Sequence, residues 1–223
     1  MLEFASSFFM QKKCYLCEKS ISKKYINEYI CENCFKKLEK YKKKYDNDKY
    51  VCYEDFNINY AFIFDYQNYI RKLILRYKFL DKPYLGKVFS EFIIRDKKVC
   101  KKIKSYDIII PVPMSKKSKR IRGYNKTEII SYEISKSIGI AYNKDILIKY
   151  KDTKKQSLLN RKERLENVKD AYKINNKFCE YLNGKKIILF DDIYTTGATV
   201  NECLKLIKKY NVKNILVLIL AKD

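Results

Sequence analysis

Two adjacent carboxylates, a run of hydroxyls and one glycine stand together in "LFDDIYTTGAT", residues 189–199. Asp191 and Asp192 close an apolar run, and Thr195, Thr196, Gly197, Ala198 and Thr199 make a short turn ahead of a helix. A turn that opens into a helix presents unpaired N–H groups and the positive end of the helix dipole, which suits a phosphate. Gly197 lets the backbone approach that phosphate closely, and the threonine hydroxyls can donate to its oxygens. Two carboxylates about one sugar away can accept from a pair of vicinal hydroxyls. The ligand so described is a ribose 5-phosphate. A threonine N-cap would account for a hydroxyl, but capping does not require two aspartates on the preceding strand.

Four cysteines form a second constellation. Cys14-Tyr-Leu-Cys17 and Cys31-Glu-Asn-Cys34 are two CxxC knuckles separated by thirteen residues. That spacing lets four thiolates close a tetrahedron around a zinc ion. With all four positions filled by sulfur, the ion has a structural role. Disulfides and a redox pair are the alternatives; the first suit an oxidising compartment, and the second does not usually come duplicated. Lys12, Lys13 and Lys36 flank the knuckles and would offset thiolate charge. Cys52, Cys100, Cys179 and Cys203 lack such spacing, and Cys203 shares an apolar helix face with Leu204 and Ile207.

Composition bounds the rest. A net charge of +23, from 49 basic and 26 acidic residues, favours polyanionic partners such as nucleic acid, nucleotides or phosphorylated metabolites. Part of the lysine is also what AT-rich coding produces in a chain crowded with Asn, Ile and Tyr. Arginine is more selective: of seven, Arg120, Arg122, Arg161 and Arg164 fall in two short stretches, and a guanidinium fork suits phosphate. Histidine is absent, which excludes His triads, His metal ligands and His general bases. No segment reaches the ~18–20 apolar residues of a membrane helix. The N-terminal "MLEFASSFFM" has no signal-peptide pattern, so the expectation is a cytoplasmic chain.

These residues need a scaffold, and the apolar pattern supplies one. Strands are expected at 59–66, 106–113, 145–150, 185–192 and 214–220. Helices are expected over 67–80, 83–99, about 125–138 and 198–210, with a charged linker at 41–50. Unbroken apolar strands alternating with helices indicate a parallel sheet covered on both faces. Ligands of such sheets bind at the carboxyl ends of the strands. Two units follow: residues 1–50 as a four-cysteine zinc-binding module and linker, and residues 51–223 as the α/β domain.

"ILFDDIYTTGATV" resembles the phosphoribosyl pyrophosphate (PRPP) motif of type I phosphoribosyltransferases. "PVPMSKKSKRIRGYNKTEII" (111–130) and "KKQSLLNRKERLENVKDAY" (154–172) resemble the two other blocks of the ComF family, competence-associated phosphoribosyltransferase-like proteins, which also carry an N-terminal four-cysteine module. The resemblance implies an α/β type I phosphoribosyltransferase fold with a small zinc-ribbon module. It implies PRPP binding through Asp191, Asp192, Thr195, Thr196, Gly197, Ala198 and Thr199, facing Met114, Ser115, Lys116, Arg122 and Gly123 in a pyrophosphate loop. Gln156, Arg161, Arg164 and Asn167 correspond to the family's mobile lid; by its residues alone the segment reads equally as a plain helix, with Lys162–Glu166 an ordinary i,i+4 pair. Mg²⁺ would bridge pyrophosphate and ribose hydroxyls, with Asp191 and Asp192 anchoring the ribose directly or through water, and Arg122 stabilising the departing charge. The family also implies a part in natural transformation, with single-stranded DNA and a helicase-like protein as partners. An active phosphoribosyltransferase of nucleotide metabolism and a PRPP-sensing regulator are the other readings. Lys126 departs from the family, which commonly has glutamine there.

Overall fold

Apolar runs rich in Ile, Leu and Val form the centre of a mostly parallel sheet, as expected of strands buried on both faces. The computed structural model describes residues 12–21, 29–42, 50–53, 56–79, 82–154 and 159–223. The chain begins with α1 (Glu32–Glu39), β1 (Tyr50–Tyr53), β2 (Phe56–Asp65), α2 (Asn68–Phe79), α3 (Leu85–Arg95) and α4 (Lys97–Ile103). It continues with β3 (Ile108–Pro111), α5 (Lys116–Arg122), α6 (Lys126–Ile138), β4 (Ala141–Tyr142) and β5 (Leu147–Lys149). It ends with α7 (Arg161–Val168), β6 (Tyr172–Ile174), β7 (Lys186–Tyr194), α8 (Ala198–Ile207) and β8 (Asn214–Lys222). The main sheet has the order β1-β2-β8-β7-β3-β4, and only the β1–β2 pair is antiparallel.

Side chains alternate across the strands and build one core on each face. Ile188, Phe190, Leu216, Leu218 and Ile109 join a cluster with Leu73, Ile74, Phe89 and Ile130 from α2, α3 and α6. Ile187, Leu189, Val217 and Ile219 join the opposite cluster with Val200, Cys203, Leu204 and Ile207 of α8. Each such fully buried side chain contributes about 1.5–3 kcal/mol, so the central strands are held from both sides. The knuckle residues Cys14, Leu16, Cys34, Phe35 and Leu38 belong to the first cluster, and the Phe35 ring stacks on Phe92 of α3 at 4.3 Å. Lys42, within the stretch read as a linker, bridges to Phe64 of β2; residues 43–49 lie outside the described set.

Three elements differ from the expectation, each for a local reason. The helix expected over 83–99 is two helices, because Asp96 leaves the helical conformation and caps α4, accepting from Val99 N at 3.0 Å. The strand expected at 145–150 does not join the main sheet. It forms β5, which pairs antiparallel with β6 in a separate two-stranded sheet; an apolar run does not say which neighbour it pairs with. The basic segment expected as a loop contains α5. Ser115 caps it, accepting from Ser118 N, and Gly123 at φ 80° stops it. No residue of α5 is buried, and Ile121 is 80% exposed.

Candidate functional site

The site forms where β7 outruns β3. Val112 N donates to Phe190 O at 2.9 Å, so residues 190 and 192 turn their backbone groups toward β3. The β3 ladder ends at Pro111↔Phe190, which leaves Asp192 N–H without a strand partner. Asp191 Oδ1 accepts it at 2.8 Å. An adjacent pair on a strand faces opposite sides of the sheet, and the surroundings of the two carboxylates differ accordingly. Asp191, 8% exposed, lies with Lys149 of β5 and Cys203 of α8. Asp192 lies with Lys78 of α2, whose Nζ is 3.3 Å from Oδ2, and with Lys126 of α6.

These surroundings set opposite protonation tendencies. Burial, and then the charge of Asp192, push the Asp191 carboxyl up to about 7. Burial also works against the charged form of Asp192, but Lys78 and then Lys126 hold that carboxyl below the usual range. Burial draws Lys149 down, and it pushes the Tyr172 phenol, which hydrogen-bonds Thr199, far up. One carboxylate stays charged and the other can carry a proton near neutrality. That is how two like charges share a crowded rim.

The turn after β7 has the predicted form, with one shift of boundary. Helix α8 begins at Ala198, so Thr199 lies in its first turn, and Gly197 is the N-cap without any side-chain capping bond. Gly197 has φ 75°, and a Cβ there would collide with the Tyr194 ring, whose Cζ would lie 2.8 Å away. Tyr194 is itself wedged edge-on to Phe62 and Tyr60, so the ring has little room to move. Gly197 and Ala198 are buried, and the hydroxyl residues Thr195, Thr196 and Thr199 are half-buried along the opening.

The opposite wall leaves the end of β3. Met114 is half-buried, Ser115 is buried, Lys116 and Gly123 are exposed, and Arg122 is half-buried. Asn125 and Thr127 fasten this wall from behind, both donating to Val112 O, at 3.2 and 2.7 Å. Lys119 is committed to Glu128, with contacts of 2.7 and 3.0 Å. In the segment read as a lid, Asn160 and Glu163 form a capping box that starts α7. Asn167 exchanges two 3.0 Å bonds with the backbone of Lys154, and Arg164 Nε donates to Leu159 O at 3.0 Å. Arg161 is exposed, and Gln156 lies outside the described residues.

Sequence reasoning missed the lysines. Lys78 and Lys149 come from segments that carried no motif, and Lys126 was noted only as a departure from glutamine. A partial signal existed for Lys78: it is a polar residue in the last turn of a helix leading toward the strand ends.

The four thiols of Cys14, Cys17, Cys31 and Cys34 lie within 4.8 Å of one another, the one such metal-ligating group among the described residues. The first knuckle closes by Glu18 N donating to Cys14 O at 2.7 Å, with Glu18 in the left-handed region. The second is the start of α1, with Cys31 as N-cap and Cys34 in the first turn; the helix dipole favours thiolate there, while burial pushes both thiols up. Four convergent sulfur donors can hold a metal ion, and all-sulfur tetrahedra suit zinc. The carboxylate pair makes no comparable cage; two carboxylates suffice for Mg²⁺ only where substrate phosphates complete its shell.

No family model matches the chain. Competence protein F of Haemophilus influenzae is 30% identical over 153 residues, 67% of this chain and 66% of that protein, just under two thirds of its length. Competence protein ComFC of Streptococcus pneumoniae is 30% identical over 205 residues, 91% of this chain and 84% of that protein. The chain belongs to the ComF family of competence proteins. Solved structures overlap this ComF chain only in part. The glutamine PRPP amidotransferase from B. subtilis covers 62% of this chain and 26% of its own, at 15% identity and a TM-score of 0.36. The PRPP synthetase from Mycobacterium smegmatis covers 60% and 33%, at 12% identity and a TM-score of 0.32. Among the described residues of the ComF chain, no helix is long and apolar enough to cross a membrane.

Proposed function

We propose that this ComF chain binds PRPP with Mg²⁺ and serves DNA uptake in natural transformation, handling single-stranded DNA in the cytoplasm beside a helicase-like partner. The observation that carries the PRPP reading is the convergence, at the rim of β7, of a charged carboxylate, a second protonatable one and the α8 N-terminus. The 5-phosphate would sit on the N–H groups of residues 195–199, where backbone amides and the dipole favour an anion. The ribose would lie across the rim between Asp191 and Asp192. The pyrophosphate would reach Ser115, Lys116 and Arg122, and α7 with Gln156, Arg161, Arg164 and Asn167 would close over it. Mg²⁺ would arrive on the ligand's oxygens and neutralise their charge. The four-cysteine cluster would hold structural zinc.

Calorimetric titration with PRPP and Mg²⁺ tests this. Wild type is expected to bind, and Asp192→Asn to bind about tenfold or more weakly, the loss of a charge-assisted hydrogen bond. Absence of wild-type binding would sink the PRPP reading.

The two competence-protein relatives fit a role in DNA uptake, and support for single-stranded DNA comes from the face formed by β5 and β6. Tyr150 is 50% exposed, and the ammonium groups of Lys151 and Lys173 stand 5.8 and 5.5 Å from its ring centre. A base can stack on such a ring while flanking lysines take phosphates. Tyr150→Ala is expected to weaken retention of an oligonucleotide by roughly 5- to 100-fold, the ~1–3 kcal/mol of one stacked base. Wild-type affinity should fall linearly with salt on logarithmic axes. An unchanged Tyr150→Ala affinity would remove this face from the interface.

A further inference from the structure

We infer that Lys126 is a ligand-binding residue that grips the pyrophosphate of PRPP, from between the carboxylate pair and Arg122. The inference rests on the PRPP reading and adds to it the residue that separates PRPP from ribose 5-phosphate.

Little in the local structure rewards a lysine here beyond the field of Asp192 and Asp191. Lys126 is 4% exposed, and burying an ammonium is costly unless it is paired. It is the first residue of α6, where the dipole is positive and disfavours a cation. Lys78 and Arg122 add like charge. The acid that favours it most is Asp192, and that carboxylate is already ion-paired with Lys78. Among the described residues, no hydrogen bond or ion pair is found for the Lys126 ammonium. A local rule broken with only a shared carboxylate to offset it marks a functional position.

The lysine is also held firmly. Tyr77 Oη donates to Lys126 O at 2.9 Å, and its neighbours Asn125 and Thr127 both bond Val112 O. The backbone that carries the ammonium is therefore fixed at the wall of the site. The groups that face it are Asp192 and Asp191 on β7, Lys78 and the Tyr77 phenol on α2, and Arg122 on α5. Burial, and then the neighbouring cations against the pull of Asp192, leave it titrating at about 7.

An anion entering between Arg122 and the rim of β7 would give this ammonium its missing partner. The α8 N-terminus already provides for one phosphate. A second anionic group joined to the same ribose is what distinguishes PRPP from ribose 5-phosphate. Glutamine at this position could donate a hydrogen bond but could not neutralise charge.

The test compares wild type with Lys126→Gln and Lys126→Met. Each is titrated calorimetrically with Mg²⁺ and PRPP, ribose 5-phosphate or pyrophosphate, at pH 7.5 in two buffers of different ionisation enthalpy. Both variants should lose about tenfold or more in affinity for PRPP and pyrophosphate, as for a lost charge-assisted contact, and keep their affinity for ribose 5-phosphate. Wild type should take up a fraction of a proton on binding PRPP that the variants do not. Both variants should melt above wild type at pH 6, which also shows that they fold. Variants that bind PRPP as tightly as wild type, with the same proton uptake, would overturn the inference and leave the PRPP reading standing. A wild type that binds none of the three ligands overturns both.

Discussion

Asp191→Asn should melt about 5 °C or more above the wild-type chain at pH 8, by less than half that margin at pH 5, and should bind PRPP poorly. The reasoning starts from burial. Asp191 is 8% exposed, and its carboxyl holds a proton up to about 7, against 3.8 for an ordinary aspartate. Between those values the folded chain binds more protons than the unfolded one, so stability falls as pH rises, and above about 7 the full cost remains. A shift of about three units at about 1.4 kcal/mol each puts that cost on the order of 4 kcal/mol. Asparagine removes the charge while its Oδ1 can still accept from Asp192 N–H, the bond that replaces the missing β3 partner. Thermal unfolding across pH reads the effect. A variant that melts below wild type at pH 8 would mean that Lys149 and Lys78 already compensate the charge. The expected rise in melting temperature would instead mark the site as a place where stability is given up for ligand binding.

The chemistry of the site was legible where it is local in sequence, and hidden where the fold assembles it. Asp191, Asp192 and the Thr195–Thr199 turn lie within nine residues, and a strand, a glycine and a helix start are enough to place them. The CxxC pairs announce themselves in the same way. Lys78, Lys126 and Lys149 come from α2, α6 and β5, and in a lysine-rich chain no local pattern separates a buried ammonium from a solvated one. The alternation of strand side chains could have shown in advance that neighbouring aspartates face opposite sides. Treating them as one pair obscured their different pKa values. The central sheet was readable because unbroken apolar runs have one solution when helices alternate with them. The peripheral elements were not. Asp96 caps α4 inside an otherwise helical pattern, and β5 finds its partner in β6 from a distant segment.

Cys34→Ser should purify without zinc, where wild type carries about one equivalent, and should unfold about 10 °C or more below it. Structural zinc contributes roughly 10–16 kcal/mol of apparent binding energy in isolated fingers, comparable with the ~5–15 kcal/mol that holds a whole domain. Here the four-cysteine cluster is not an appendage. Cys14 and Cys34 are buried in the same core as Phe35, Phe64 and Phe92, and α1 begins at the second knuckle. Releasing the ion would leave four converging thiols without a common centre and loosen the Phe35–Phe92 stack. Cys100→Ser, which touches no such cluster, should melt within about 2 °C of wild type. A strong chelator should bring wild type down to the level of Cys34→Ser. Because Phe92 lies on α3 and α3 packs on α6, the chelated chain should also bind PRPP more weakly, although no ligand-contacting residue has changed. If Cys34→Ser melts with wild type and neither carries zinc, the cluster is only a set of packed thiols.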